Sequence, residues 1–155
     1  RALHILNDAD IPMRPSLVAF TPWTTAADYL EMIAFVEEQA LIDHIDPVQY
    51  TIRLLVPPGS ALLEQPDTET WLGPLDQTGF TYRWDHPDPR MDTLYHQVSR
   101  LVEAADEREE DPLATFNHIK SVCRESIGDS GRYTLPAPIS LKRLRIPKLT
   151  ESWFC

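Results

Sequence analysis

Cysteine, glycine and positive charge are all scarce in this chain of 155 residues, and each shortage argues against a class of protein. Two widely separated cysteines give no disulfide framework, which favours a reducing, cytoplasmic setting. With only 5 glycines, the chain contains no Gly-rich phosphate loop. Lys and Arg total 14 against 24 Asp and Glu, and the net charge of -10 argues against a nucleic-acid-binding surface. No run of about 18 apolar residues occurs, so we expect no membrane span.

Both ends of the chain are unusual for an independent domain. The first residue is Arg1, and residues 2–9 already have the pattern of a helix that is under way. The last three residues, Trp153, Phe154 and Cys155, are apolar and reactive. We therefore expect the protein to continue beyond both ends.

The first 65 residues have the pattern of alternating strands and helices. Residues 17–20 form a short apolar run typical of a strand that is buried on both faces. Thr25 and Asp28 fit the spacing of a capping box, and an amphipathic helix follows them. Its predicted apolar stripe consists of Tyr29, Met32, Ile33, Val36 and Ala40. Residues 48–56 are rich in β-forming residues and end before Pro58-Gly59, which suits a type II turn. This alternation predicts βα units with parallel strands.

The rest of the chain has a different character. Residues 80–84 suit a short strand, residues 92–107 suit an amphipathic helix, and a second helix is predicted to begin at Pro112 and to carry Cys123 as a core residue. Residues 129–155 are punctuated by proline and are locally basic at 142–148. We therefore predict three parts: 1–65, 66–128 and 129–155.

Two places could carry chemistry. Residues 21–25 follow a predicted strand and precede a capped helix, a position where βα proteins build active sites, although Trp23 could simply pack and the threonines could simply cap. Arg53 lies within an apolar strand, so it either faces a ligand or forms a structural ion pair with a carboxylate. His118 and Cys123 are five residues apart on one predicted helix, a spacing that argues against a shared metal, and we predict no metal ligands in this chain.

The two strand ends and the tail resemble the radical S-adenosylmethionine superfamily. Three segments carry the resemblance within residues 1–65: Asp8-Ala-Asp-Ile11, Leu17-Val-Ala-Phe-Thr-Pro-Trp-Thr-Thr25 and Ile52-Arg-Leu-Leu-Val-Pro-Pro-Gly-Ser-Ala-Leu62. The tail, Leu149-Thr-Glu-Ser-Trp-Phe-Cys155, is similar to the end of a subfamily with a Cys-Cys-Ala-Glu-Pro or Cys-selenocysteine-Ala-Glu-Pro terminus. The sequence departs from the family at Phe20-Thr-Pro22, where many members have glycine.

The resemblance implies an α/β fold: the last two strands and helices of a partial (β/α) barrel, followed by a helical C-terminal extension. It also implies an enzyme that uses S-adenosylmethionine, a four-iron four-sulfur cluster and an external electron donor to start radical chemistry on an unknown substrate. Residues on the two strands, namely Val18, Phe20, Arg53 and Leu54, would line the cofactor pocket. Cys155 would belong to a redox tail, with a cysteine or selenocysteine after it.

The same resemblance implies that the cluster ligands lie upstream of this chain. The family holds its cluster with a CxxxCxxC motif, and the 2 cysteines of this sequence do not provide one. Two alternatives remain: a fragment of another α/β-barrel enzyme, or a non-catalytic module that binds a protein partner through its acidic helices and basic segment.

Overall fold

The structure, a computed structural model, describes residues 2–9, 11 and 13–126. The basic segment 142–148 and Cys155 therefore lie outside the described residues. The described part contains helices α1 (Ala2–Asp8), α2 (Ala26–Glu38), α3 (Pro89–Glu107) and α4 (Pro112–Ser126), and strands β1 (Leu72–Asp76) and β2 (Thr81–Trp84). Short 3-10 helices occur at Ile42–His44, Pro47–Thr51, Ala61–Glu64 and Thr68–Thr70. No helix in these ranges is both long and apolar enough to cross a membrane.

Helix α2 begins with the predicted capping box. The Thr25 side chain accepts a hydrogen bond from the Asp28 backbone N–H, and the Asp28 carboxylate accepts one from the Thr25 N–H at 2.8 Å. These two bonds satisfy N–H groups that have no partner inside the helix. The helix then buries Tyr29, Ile33 and Val36 on one face. The predicted cap is confirmed, and so is the predicted apolar face except at Ala40, which lies beyond the end of the helix and is exposed.

The two segments predicted as strands meet at one parallel bridge, between Phe20 and Arg53. The Phe20 N–H donates to the Ile52 carbonyl at 3.0 Å, and the Leu54 N–H donates to the Phe20 carbonyl at 2.8 Å. The pairing is short because Pro47 starts a 3-10 helix over Pro47–Thr51, where a strand was predicted. That part of the strand prediction was wrong. Residues 52–56 alone remain extended beside the first segment.

The predicted turn and short strand extend this layer. The Ser60 N–H donates to the Pro57 carbonyl at 3.1 Å and Gly59 has φ 82, which is the geometry of the predicted type II turn. Strand β2 pairs with β1 in an antiparallel hairpin. The Tyr82 N–H also donates to the Val56 carbonyl at 2.8 Å, so β2 lies beside residues 54–56. Residues 20, 53–56, β2 and β1 therefore follow one another across the layer.

Helices α2 and α3 pack against the layer, and α4 packs against both of these helices. Helices α3 and α4 begin with proline at or near their first position, as the sequence predicted for Pro112. One hydrophobic cluster extends from Ala19 to Cys123 and includes buried residues of α2, the hairpin, α3 and α4. The described residues on both sides of the predicted boundary at residue 65 thus share one core.

The cap of α3 predicts an acid-sensitive contribution to stability. The Asp88 carboxylate accepts hydrogen bonds from the Arg90 guanidinium and the Arg90 backbone N–H, which lower the pKa of Asp88 from 3.8 to about 2. Because the folded pKa lies below the unfolded value, the stabilisation is present above pH 3.8 and is lost as the pH falls through about 2. We expect Asp88→Asn to weaken the acid dependence of the free energy of unfolding in this range. Urea unfolding of the wild type and the variant at several pH values measures this dependence. If the free energy of unfolding changed equally with pH in both proteins, the lowered pKa of Asp88 would be contradicted.

Replacing a buried tyrosine by phenylalanine should have opposite effects on stability at two positions. The Tyr29 hydroxyl donates to the Tyr50 carbonyl at 2.8 Å, whereas the Tyr50 hydroxyl has no hydrogen-bond partner among the described residues. Tyr29→Phe should therefore lower the free energy of unfolding by about 1–2 kcal/mol, because it leaves a buried carbonyl unpaired. Tyr50→Phe should be neutral or stabilising by up to about 1 kcal/mol, because it removes an unsatisfied polar group. Chemical denaturation of both variants tests this, and equal losses would contradict it.

Candidate functional site

The carboxyl ends of the two parallel segments carry the loops 21–25 and 57–60. In the first loop, the Thr21 and Thr24 hydroxyls are 2.8 Å apart, and the Thr24 hydroxyl accepts a hydrogen bond from the Thr21 N–H. Trp23 remains 46% exposed, although its indole N–H donates to the Asp67 carboxylate at 2.9 Å. Its ring also meets Trp71 edge to face, with centroids 5.6 Å apart. Trp23 is thus a fixed, partly exposed aromatic surface beside the strand ends.

The charge around this loop is negative. Asp28 occupies the first turn of α2, and hydrogen bonds from Thr25 lower the pKa of its carboxyl group. Asp67 lies against the Trp23 indole. The N-terminus of α2 is therefore occupied by its own cap and carries a carboxylate, which disfavours a phosphate there. The exposed indole and the two carboxylates instead favour a planar group that is neutral or positively charged.

Phe20 and Val18 have different environments although both were predicted to line the cofactor pocket. Phe20 is only 2% exposed, and its ring is enclosed by Tyr29 and Tyr95, with centroid distances of 4.9 and 5.3 Å. Val18 is 55% exposed, so the prediction that residues 17–20 are buried on both faces was wrong at this position. In this structure Val18 can therefore contact a ligand through its side chain, and Phe20 supports the strand from the core side.

Arg53 forms the structural ion pair that the sequence left open as one of two alternatives. Its guanidinium lies 3.8 Å from the Trp84 ring centroid and 4.8 Å from that of Tyr95. The same group is 3.0 Å from the Asp92 carboxylate and donates to the Trp84 carbonyl at 2.9 Å. The second Asp92 oxygen accepts the His86 N–H at 2.9 Å. We call Arg53, Trp84, Asp92 and Tyr95 the Arg53 cluster, which joins the parallel segment to the hairpin and α3.

Leu54 contributes to the layer through the hydrogen bonds of its backbone. Its N–H donates to the Phe20 carbonyl, and its carbonyl accepts the Trp84 indole N–H at 2.8 Å. Its side chain is half-buried against the core. Of the four residues predicted for the pocket, three therefore make structural contacts in this layer. Their cofactor-binding role stays a prediction.

Sequence inspection missed the partners that fix Arg53. Trp84 and Asp92 come more than thirty residues later, and nothing in their local pattern points back to Arg53. The available signals were weak: an aromatic at the end of a predicted strand, and an acid in the first turn of a predicted helix. The contact between Trp23 and Asp67 was missed for the same reason.

The remaining titratable candidates do not form a site in the described part of the chain. Cys123 is a core residue, as predicted, and burial raises the pKa of its thiol to about 12. A thiol of this kind is protonated and unreactive at neutral pH. His118 is exposed, with its Nδ1 3.3 Å from the Glu110 carboxylate. No group of three His, Cys, Asp or Glu residues among the described residues could hold a metal ion.

Comparison of the chain with protein-family models, with curated proteins and with solved structures gave no match. The function proposed for the chain therefore depends on its own residues and geometry.

Proposed function

We propose that this chain is the C-terminal part of a radical S-adenosylmethionine enzyme acting in the cytoplasm on an unknown substrate. The observation that carries the proposal is the parallel bridge between Phe20 and Arg53, with the capped helix α2 between the two segments. This order of segment, helix and parallel segment is the unit from which (β/α) barrels are built. The loops 21–25 and 57–60 follow the two segments at their carboxyl ends, where such barrels bind their ligands.

The residues present fit the two cofactors to different extents. The described residues contain one cysteine, buried Cys123, so they do not fit an iron-sulfur cluster, and the proposal assigns its ligands to an upstream region. Val18 and Trp23 offer exposed apolar surface for an adenine ring, and Asp28 and Asp67 supply negative charge suited to a sulfonium. When bound with the cluster, S-adenosylmethionine supplies radicals for hydrogen abstraction. This chain would bind and orient it.

The first test is the encoding DNA on both sides of the segment. The proposal expects a CxxxCxxC motif upstream of Arg1, and a codon for cysteine or selenocysteine directly after Cys155, which would form a redox pair with it. A complete upstream half without the motif would refute the proposal. A codon for any other residue directly after Cys155 would refute only the redox-tail part of the proposal.

The second test uses the longer protein, purified without oxygen and supplied with a reductant. We expect it to convert S-adenosylmethionine to 5′-deoxyadenosine, and Trp23→Ala to raise the KM for S-adenosylmethionine about tenfold through lost stacking. The matched control is Phe80→Ala, since Phe80 is another exposed aromatic, located in the β1–β2 turn. An equal effect of both substitutions would contradict a binding role for Trp23.

A second candidate function is a non-catalytic interaction module. The observation in its favour is the single core from Ala19 to Cys123, which allows the described residues to fold as one unit. This candidate predicts that the isolated 155-residue chain is monomeric and unfolds in one sharp thermal transition. The barrel-fragment proposal expects the isolated chain to associate through an exposed strand edge instead.

A further inference from the structure

The exposed face of α2 has an unusual combination of residues. Phe35 is 51% exposed and lies between Glu31 and Glu38, four residues after one and three before the other. Side chains at this spacing lie on the same face of a helix, so the three form one stripe. We call Glu31, Phe35 and Glu38 the α2 stripe.

The charge of the stripe is not neutralised by the described residues. Helix α2 contains four acidic residues, Asp28, Glu31, Glu37 and Glu38, and no Lys, Arg or His. Asp28 is used in the cap, and Glu37 pairs with Lys120 of α4. Glu31 and Glu38 have no ion pair or hydrogen bond among the described residues. The stripe thus offers two free carboxylates on either side of an exposed aromatic ring.

We propose that residues 141–148 of the same chain dock on the α2 stripe. This segment, Leu-Lys-Arg-Leu-Arg-Ile-Pro-Lys, has four basic residues, no acidic residue, and leucine and isoleucine between the charges. Its charge is therefore opposite to that of α2, and its apolar side chains can cover Phe35. The inference does not depend on the proposed radical function.

The connection to the segment is long enough. The described residues end at Ser126, on helix α4, which packs beside α2 and carries the Lys120 partner of Glu37. The stretch from Ser126 to Leu141 can reach about 50 Å when extended, while α2 is about 20 Å long. A binding segment joined to its site by a short linker has an effective concentration of about a millimolar, so a weak contact suffices for docking.

Zero-length cross-linking with a carbodiimide on the full chain tests the proposal, because it joins only carboxylates and amines that touch. We expect Glu31 or Glu38 to become linked to Lys142 or Lys148 within monomers. The yield should fall severalfold in 1 M NaCl, where the Debye length is about 3 Å. No link, or links to Glu103 and Glu107 of α3 in equal yield, would overturn the proposal.

Charge reversal separates docking from general attraction. Glu31→Lys with Glu38→Lys should raise the rate of tryptic cleavage within 142–148 about tenfold, because the docked state no longer protects it. The matched control reverses Glu103 and Glu107, two exposed acids of α3, and should leave that rate unchanged. Adding Arg143→Glu and Arg145→Glu to the first variant should restore carbodiimide links between the same two segments. Circular dichroism checks that every variant is folded.

A mixture of isotopically labelled and unlabelled chains identifies the source of the docked segment. Cross-links within one chain have a single isotopic label and support the proposal. Links of mixed label would show that a second copy supplies residues 141–148, and would overturn docking within the chain. Equal rates of tryptic cleavage in the variant with Glu31→Lys and Glu38→Lys and in the α3 control would also overturn docking within the chain.

Discussion

Phe20→Ala is expected to lower the free energy of unfolding by about 3–5 kcal/mol. The ring is buried between Tyr29 and Tyr95, so its removal loses both the transfer free energy and two aromatic contacts, and leaves a cavity. The surrounding rings belong to α2 and α3, which limits how far the cavity can collapse.

The matched control for Phe20 is Val18→Ala on the same segment. Val18 is mostly exposed, so this change should cost less than about 0.5 kcal/mol. Urea denaturation of the two variants measures the contrast. A large loss for both would mean that Val18 is covered, and a small loss for both would mean that Phe20 is not a core residue. In the proposed longer enzyme, Val18→Ala should affect cofactor affinity instead of stability.

Arg53→Ala is expected to lower the free energy of unfolding by about 2–3 kcal/mol. The substitution leaves the Asp92 carboxylate without its partner and removes a guanidinium packed against Trp84 and Tyr95. The Arg53 side chain is 21% exposed, so water screens part of the interaction and the loss falls below that of a fully buried pair. Arg83→Ala, which breaks an exposed pair with Asp76, should cost less than about 1 kcal/mol.

Two further variants separate charge from geometry in the Arg53 cluster. Arg53→Lys keeps the charge but not the planar group that stacks on Trp84, so it should recover only part of the lost stability. A double-mutant cycle between Arg53→Ala and Asp92→Asn should give a coupling of at least about 1 kcal/mol, since both groups belong to one network. Additive losses would contradict the ion pair.

Local sequence predicted the helices well because their signals lie within a few residues. The Thr25 and Asp28 spacing predicted the cap of α2, and Pro112 predicted the start of α4. The turn at Gly59 was equally local, since its left-handed backbone favours glycine. Residues 48–51 were predicted wrongly as strand because their β-forming side chains were outweighed by Pro47 at the start of a 3-10 helix.

The sequence by itself determined which segments form the α-helices, which face of α2 is apolar, and that positive charge is concentrated in residues 142–148. Only the tertiary structure decided the roles of Phe20 and Arg53. Alternation along a strand cannot say which partner covers a side chain, because Asp92, Trp84 and Tyr95 are brought to Arg53 by the packing of the hairpin and α3. The ion pair and the buried ring are therefore properties of contacts distant in sequence, which local patterns do not encode.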